Sequence, residues 1–430
     1  MASSQTLLSF LLLLLLSVLS LTSSSRPPTT ALVLPVSKHS SLQYTTTIIY
    51  RTPPVPLRVV LDLSGPFLWL TCGPTYNSTT YHSAHCHSPL CPLSHNGHKL
   101  CNNNNNDTCT VLSQNVFTSK VSKMELGEDV LSLNSTNGFY TTSVASILQF
   151  PFLCAPEFLS KGLEAAAAGV VGLGHGRLGL PELLSDAFNL GRKFAICLPS
   201  SRNDVGVLFF GDGPYVFSPG IDVSKLLIST PLIKRATGMG NMTIRAQRRG
   251  KTGNLKAQRH PFYSYNYYFR VKYMRVKGKR VPLSSSLLAK ISTVSPYTTM
   301  ESSIYRSLTK MFLEEALAAN ATRVAPRGPF GICFVINEAR PMPFIDLVLQ
   351  SEEVFWRILE TNSMVEMGNG TSCLGFLDGG VNTGSSITIG SRQLEDNLLQ
   401  FDLVSSKLGF TNTLLFRETN CASFNFASVV

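Results

Sequence analysis

The sequence predicts an all-β, disulfide-bonded protein made of two similar lobes that face each other across a cleft. Three observations carry this expectation. Short β-branched or apolar runs, punctuated by Gly, Pro, Asn and Ser, fill most of the chain, and helical periodicity is scarce. A weak duplication sets an apolar strand before a small-residue turn at Asp62 and again at Ser292. Each half later carries an apolar step ending in glycine, Val170-Val171-Gly172 and Ile387-Thr388-Ile389-Gly390. Ten cysteines, an even number, follow a leader-like N-terminus, which reads as five disulfides in an oxidising compartment.

The 430 residues suffice for two lobes with full cores. With 44% hydrophobic and 15% charged residues, the composition excludes a disordered chain. Residues 1–25 read as a secretory signal: Leu7 to Leu21 is nearly all leucine and serine, and small residues follow. A membrane anchor is the rival reading, and no basic stop-transfer flank follows directly to support it. No later segment is long and apolar enough to span a bilayer. The mature protein is therefore expected to be secreted and free of the membrane.

The elements follow in order. Ala31 to Val36, Tyr44 to Tyr50, Val59 to Leu63, Phe67 to Thr71 and Val130 to Leu133 are predicted strands. Cys86, Cys91, Cys101 and Cys109 share a stretch with His82, His85, His87, His95 and His98, but their spacings do not suit a zinc finger, so disulfides are expected and no metal site. Gly174-His-Gly-Arg-Leu-Gly179 has dinucleotide-loop spacing without a βαβ context, and reads as the turn after the Val170 strand. No cofactor motif is found. Leu180 to Phe188 is a short helix opened by Pro181. Tyr263 to Val276 alternates like a strand pair with a Lys277-Gly278 turn. Ser302 to Ala319 is the best helix, with Ile304, Leu308, Phe312, Leu313 and Leu317 on one face. The expected layout is an N-terminal lobe over 26–230, a basic linker or insertion over 231–261 and a C-terminal lobe over 262–430.

The net charge of +11 is local. Fourteen Lys or Arg and no Asp or Glu lie between Lys234 and Arg280, leaving 23 basic against 26 acidic residues elsewhere. That block is expected to be a solvated insertion, with anionic wall polysaccharide as the ligand its charge suits and no nucleic-acid partner. Six Asn-x-Ser/Thr sequons, at Asn77, Asn106, Asn134, Asn241, Asn320 and Asn369, behind a signal segment suggest a glycoprotein.

The chemistry turns on Asp62. Val59-Val-Leu-Asp-Leu-Ser-Gly-Pro-Phe-Leu-Trp-Leu70 looks like an aspartic-protease active-site loop, and its counterpart Lys290-Ile-Ser-Thr-Val-Ser295 holds Ser292 where a second carboxylate belongs. Aspartic proteolysis needs two carboxyls sharing one proton. A hydroxyl replaces neither role.

The chain resembles the plant pepsin-like family that includes basic 7S globulin, the carrot extracellular dermal glycoprotein and the xyloglucan-specific endoglucanase inhibitors. The match rests on Ala31-Leu-Val-Leu-Pro-Val-Ser-Lys38, the Asp62 loop, Phe152-Leu-Cys-Ala-Pro156, Arg192-Lys-Phe-Ala-Ile-Cys-Leu198, Lys290-Ile-Ser-Thr293, Cys373-Leu-Gly-Phe-Leu-Asp-Gly-Gly380 and Gln393 to Asp402. The resemblance implies a bilobal pepsin-like aspartic protease fold in the apoplast or cell wall, with serine at the second position as a family habit. It implies that Cys72, Cys86, Cys91, Cys101, Cys109, Cys154, Cys197, Cys333, Cys373 and Cys421 are bonded, with Cys333–Cys373 and then Cys197–Cys421 as the leading pairs. It also implies a non-catalytic protein that binds and inhibits a glycoside hydrolase, or binds another wall protein, through surface loops. Tyr50, Arg51, Asn382, Thr383, Gly384 and Ser385 are the expected contacts. Two positions depart from inhibitory members: Gly384 stands where they carry an arginine, and Tyr50 where they carry a glutamine. The alternatives are a residual aspartic endopeptidase and a 7S-globulin-like storage or peptide-binding protein.

Overall fold

A computed structural model describes residues 31–73, 76–94, 107–237, 262–283, 286–336, 341–381 and 383–427. The signal segment, Cys101, Asn106, Asn241, Asn382 and most of the basic block lie outside the described residues.

The architecture is mostly β, in two barrel-like lobes that repeat one device. In the first lobe, strand Tyr44–Tyr50 turns back on Val55–Asp62, from Tyr50↔Val55 to Thr45↔Val60. The latter then runs parallel to Gly169–Gly172, pairing Asp62 with Gly172. Leu68–Thr71, on the far side of the Asp62 turn, pairs antiparallel with the same short strand, Leu68 opposite Val171. Three strands thus cross at the turn, and Gly172 is required there. A Cβ on it would sit 2.3 Å from the Gly65 carbonyl oxygen. The second lobe repeats the arrangement: Leu287–Ile291 runs parallel to Ile387–Ile389, and Thr298–Met300 pairs antiparallel with it. The duplication read from the sequence is this pair of crossings.

The lobes share a sheet. Lys193–Cys197 pairs with Val205–Gly211 on one side and with Leu398–Asp402 on the other. Ile228–Ile233 pairs with Lys407–Phe410. Between them Phe194 stacks on Phe401 at 4.6 Å, within one apolar core that reaches into both lobes. Lys38 and Glu395 form a buried ion pair at 2.7 Å across the same junction.

Helix Leu180–Phe188 has Pro181 in its first turn and ends at Asn189 in the left-handed region. Helix Ser302–Ala318 buries Ile304, Leu308, Phe312 and Ala316, an i, i+4 stripe. Leu317, expected on that face, is exposed, because Glu315 and Ala316 take the inner positions. The expected strand Val130 to Leu133 is part of a much longer one, Val121–Thr136, which pairs with Thr141–Ala155. At the basic block, Ala236–Thr237 pairs with Phe262–Tyr263. The Lys277-Gly278 turn joins Tyr273–Val276 to Lys279–Arg280, both turn residues having positive φ.

Disulfides Cys72–Cys154, Cys91–Cys109, Cys197–Cys421 and Cys333–Cys373 are formed, including both leading pairs. Cys86 is disulfide-bonded as well. Among the described residues no helix is long and apolar enough to cross a membrane.

Candidate functional site: a one-carboxylate cleft and its rim

The two turns meet at the base of the cleft. Asp62 ends its strand, is 1% exposed, and accepts the Ser64 N–H on Oδ1 at 2.8 Å. Burial pushes its carboxyl above its ordinary value, while the N–H groups of Ser64 and Gly65 and the charge of Lys290 pull it back. Ser292 occupies the equivalent place in the second lobe. Its N–H donates to the Ile389 carbonyl at 2.9 Å, and its hydroxyl accepts from the Ser295 N–H at 3.1 Å. Among the described residues these two turns bring together one carboxyl and one hydroxyl, where a shared-proton pair would need two carboxyls.

One bond set ties the turns together. The Thr293 hydroxyl donates to the Leu61 carbonyl at 2.8 Å and accepts from the Leu63 N–H at 3.1 Å. Leu63, its counterpart in the first lobe, has no hydroxyl with which to return the bonds. The linkage is one-sided.

Lys290, two residues before Ser292, faces Asp62 from the second lobe. Burial pushes its ammonium below the ordinary value, the Asp62 charge raises it, and Arg235 lowers it again. His175 packs on Tyr267 at 4.5 Å, and burial takes it down to about 4. Sequence reasoning does not single out Thr293, Lys290 or Arg235. The period-two phase of Lys290 with Ser292 is the signal that could have found the lysine.

The expected contact residues divide. Arg51 lies at the turn after Tyr44–Tyr50, half-buried, with φ +65° and its guanidinium 5.6 Å from the Tyr76 ring centroid. Its neighbour Thr52 donates its N–H to Ser78 Oγ. Asp129 clamps this rim by accepting from Tyr76, Ser78 and Thr80. Tyr50 is corrected: its ring is fully buried against Phe152 and its hydroxyl donates to the Phe150 carbonyl, so it offers no free surface. Strand alternation decides this, because Tyr50 is in phase with the buried Tyr44 and Ile48. In the other lobe Gly384 is exposed, and a Cβ there would meet nothing within 4 Å. Thr383 is half-buried and bonds through its hydroxyl to the Ser385 carbonyl. Ser385 is also corrected, being buried with its hydroxyl on Thr388. The loop is pinned at Asp378, which accepts from Ser302 and from the Gly380 N–H.

Of the sequons, Asn77, Asn320 and Asn369 are exposed, whereas Asn134 is half-buried in mid-sheet, opposite Val33 and Val144.

Comparisons with known proteins identify the family and agree with the fold. Residues 44–212 match the family model described as xylanase inhibitor N-terminal, and residues 266–412 match xylanase inhibitor C-terminal. The chain is 41% identical to a probable aspartic proteinase GIP2 of Nicotiana benthamiana, covering all of both chains. It is 32% identical to basic 7S globulin of Glycine max, over 93% of each chain. The crystal structure of edgp superposes with a TM-score of 0.84 at 40% identity, covering 94% of this chain and all of that one. An aspartic proteinase from Irpex lacteus shares the fold alone, with a TM-score of 0.56 at 13% identity over 89% of this chain and 97% of its own. With both lobes matched and the pepsin-like fold in place, the chain belongs to the plant xylanase-inhibitor family of pepsin-like proteins, the group that contains basic 7S globulin.

Proposed function

We propose that this protein is a secreted, non-catalytic pepsin-like protein that binds and inhibits wall-directed glycoside hydrolases of the xylanase or xyloglucanase type, acting in plant defence from the apoplast. The observation that carries the reading is the single carboxyl at the base of the cleft. Asp62 feels the charge of Lys290, Ser292 stands at the matching turn, and among the described residues no second carboxyl is bonded to Asp62 to share its proton. The family match supplies the class of partner.

The mechanism is steric. Among the described residues, Arg51 on one rim, and Thr383 with the exposed Val381 and Gly384 on the other, can touch a partner once Tyr50 and Ser385 are set aside. Both loops are held by carboxylate or backbone bonds, which limits the ordering cost of binding. The test is a pull-down from wall and pathogen extracts with the purified secreted protein, followed by assays on xylan and xyloglucan. Saturable inhibition of one enzyme supports the reading. Capture without inhibition, or hydrolysis of a peptide substrate that Asp62→Asn abolishes, sinks it.

A further inference from the structure

The chemistry left on the cleft wall is cationic. In strand Leu287–Ile291, Leu287, Ala289 and Ile291 point into the core, which puts Lys290 on the opposite face, in phase with Ser292. Its cross-strand partners on that face are Tyr268 and Thr388. Arg235 lays its guanidinium 5.7 Å from the Tyr268 ring centroid. The segment carrying Tyr268 is packed directly on the Asp62 turn. The Tyr265 carbonyl accepts the His175 N–H at 3.0 Å, and a Cβ on Gly174 would meet that carbonyl oxygen at 2.8 Å and the Ser64 carbonyl carbon at 2.9 Å.

Among the described residues, neither the Lys290 ammonium nor the Arg235 guanidinium has an ion pair or hydrogen bond. Asp62 influences Lys290 by its charge without forming an ion pair with it, and it is closed off from solvent. The Lys290 side chain is half-buried, and its ammonium is left to solvent rather than to a protein carboxylate. An incoming anion can meet it with a charge-assisted bond. Lys290 and Arg235 thus present positive charge that the enclosed Asp62 carboxyl does not pair, which suits an anionic group.

We propose that Lys290 and Arg235 form a carboxylate-binding subsite in the cleft, taking the Asp or Glu side chain of an extended peptide segment. The carboxylate docks on the Lys290 ammonium, with Arg235 beside it. Tyr268 is nearly buried beneath Arg235, so no open ring is offered for a sugar to stack on, which favours a peptide over an acidic saccharide. This subsite is separate from the rim loops and does not depend on hydrolase inhibition.

The experiment is calorimetric titration of the full secreted chain at low salt with a blocked hexapeptide carrying one central glutamate, and with its glutamine twin. The glutamate peptide is expected to bind about tenfold more tightly, the worth of one charge-assisted bond. Lys290→Met is expected to erase that preference, and Arg235→Gln to reduce it, with circular dichroism showing both variants folded. Equal binding of the two peptides, no saturation at millimolar peptide, a preference that survives Lys290→Met, or capture of oligogalacturonate alone would each overturn the proposal. Should Lys290→Met not fold, Arg235→Gln with Lys290 intact decides the matter, and a glutamate preference left at full strength there overturns the proposal as well.

Discussion

Thr293 grips Leu63 across the base of the cleft, and Leu63 gives nothing back. The Thr293 hydroxyl holds the Leu63 N–H and the Leu61 carbonyl together, while the position that would reciprocate from the first lobe is an apolar side chain fully buried in the core. One hydroxyl therefore carries a linkage that the duplicated geometry has room to make twice.

Thr293→Val tests this directly. The isostere keeps the shape, loses both bonds and leaves the buried Leu63 N–H without a partner. The expected loss is about 1–3 kcal/mol of unfolding free energy, the cost of an unsatisfied buried group. Urea denaturation measures it. A variant as stable as the parent would mean that packing alone holds the two turns.

The second tie between the lobes is ionic. Glu395, 2% exposed, accepts from Lys38 Nζ at 2.7 Å and Tyr44 Oη at 2.6 Å on one oxygen, and from Arg392 at 2.7 Å on the other. Removing one member of a buried pair strands the other charge. Glu395→Leu should cost about 3–5 kcal/mol, since the buried Lys38 charge then keeps only its bond to the Ser200 carbonyl and no counter-charge. Adding Lys38→Met should recover part of that loss. Denaturation midpoints of the two variants decide it, and no recovery in the double variant would show that Tyr44 and Arg392 carry the energy instead.

Asp62 and Lys290 make a pH prediction. The Asp62 carboxyl is held above its ordinary value, so folding favours its protonated form. The resulting cost is absent below the ordinary carboxyl value of 3.8, grows as pH rises from there toward the folded value, and is fully present above it. Asp62→Asn keeps an oxygen for the Ser64 N–H and removes the ionisation. It should melt higher than the parent at neutral pH, and the gap should close in acid. The same change removes the charge that props up Lys290, so the ammonium should titrate at lower pH still. NMR of a dimethylated Lys290 would read that shift, and an unmoved titration would refute the coupling.

What is legible in the sequence follows from which interactions are local. Helix Leu180–Phe188 is visible because Pro181 marks its start, and strand Tyr44–Tyr50 because its composition is β-branched and aromatic. The crossings at Asp62 and Ser292 are visible as a repeat of small-residue turns. Strand Val121–Thr136 is read only over Val130 to Leu133, because Gly127 and the buried Asp129 break the alternation that Lys123 and Glu125 keep with Met124 and Leu126. Family analogy misplaces Tyr50, although its phase with Tyr44 and Ile48 points inward. The Arg235–Tyr268–Lys290 cluster is not legible, since it joins residues 55 positions apart through a strand pairing that no local pattern encodes.

The role of the second rim loop can be tested at Gly384. The position is exposed, and a side chain beginning there meets no neighbour within 4 Å, so Gly384→Arg should change stability by no more than about 0.5 kcal/mol. The loop around it is already fixed by the Asp378 bonds to Ser302 and Gly380, so the new guanidinium projects from an ordered base. A planar fork of donors can reach into the acidic cleft of a glycoside hydrolase and make bidentate bonds that glycine cannot. Gly384→Arg should therefore raise inhibition of a xyloglucanase by about tenfold or more, as one good charge-assisted contact is worth at least that much. Inhibition constants for the two proteins, measured on the same enzyme, check this. A folded Gly384→Arg protein that inhibits no better than the parent would show that this loop does not enter the partner's cleft.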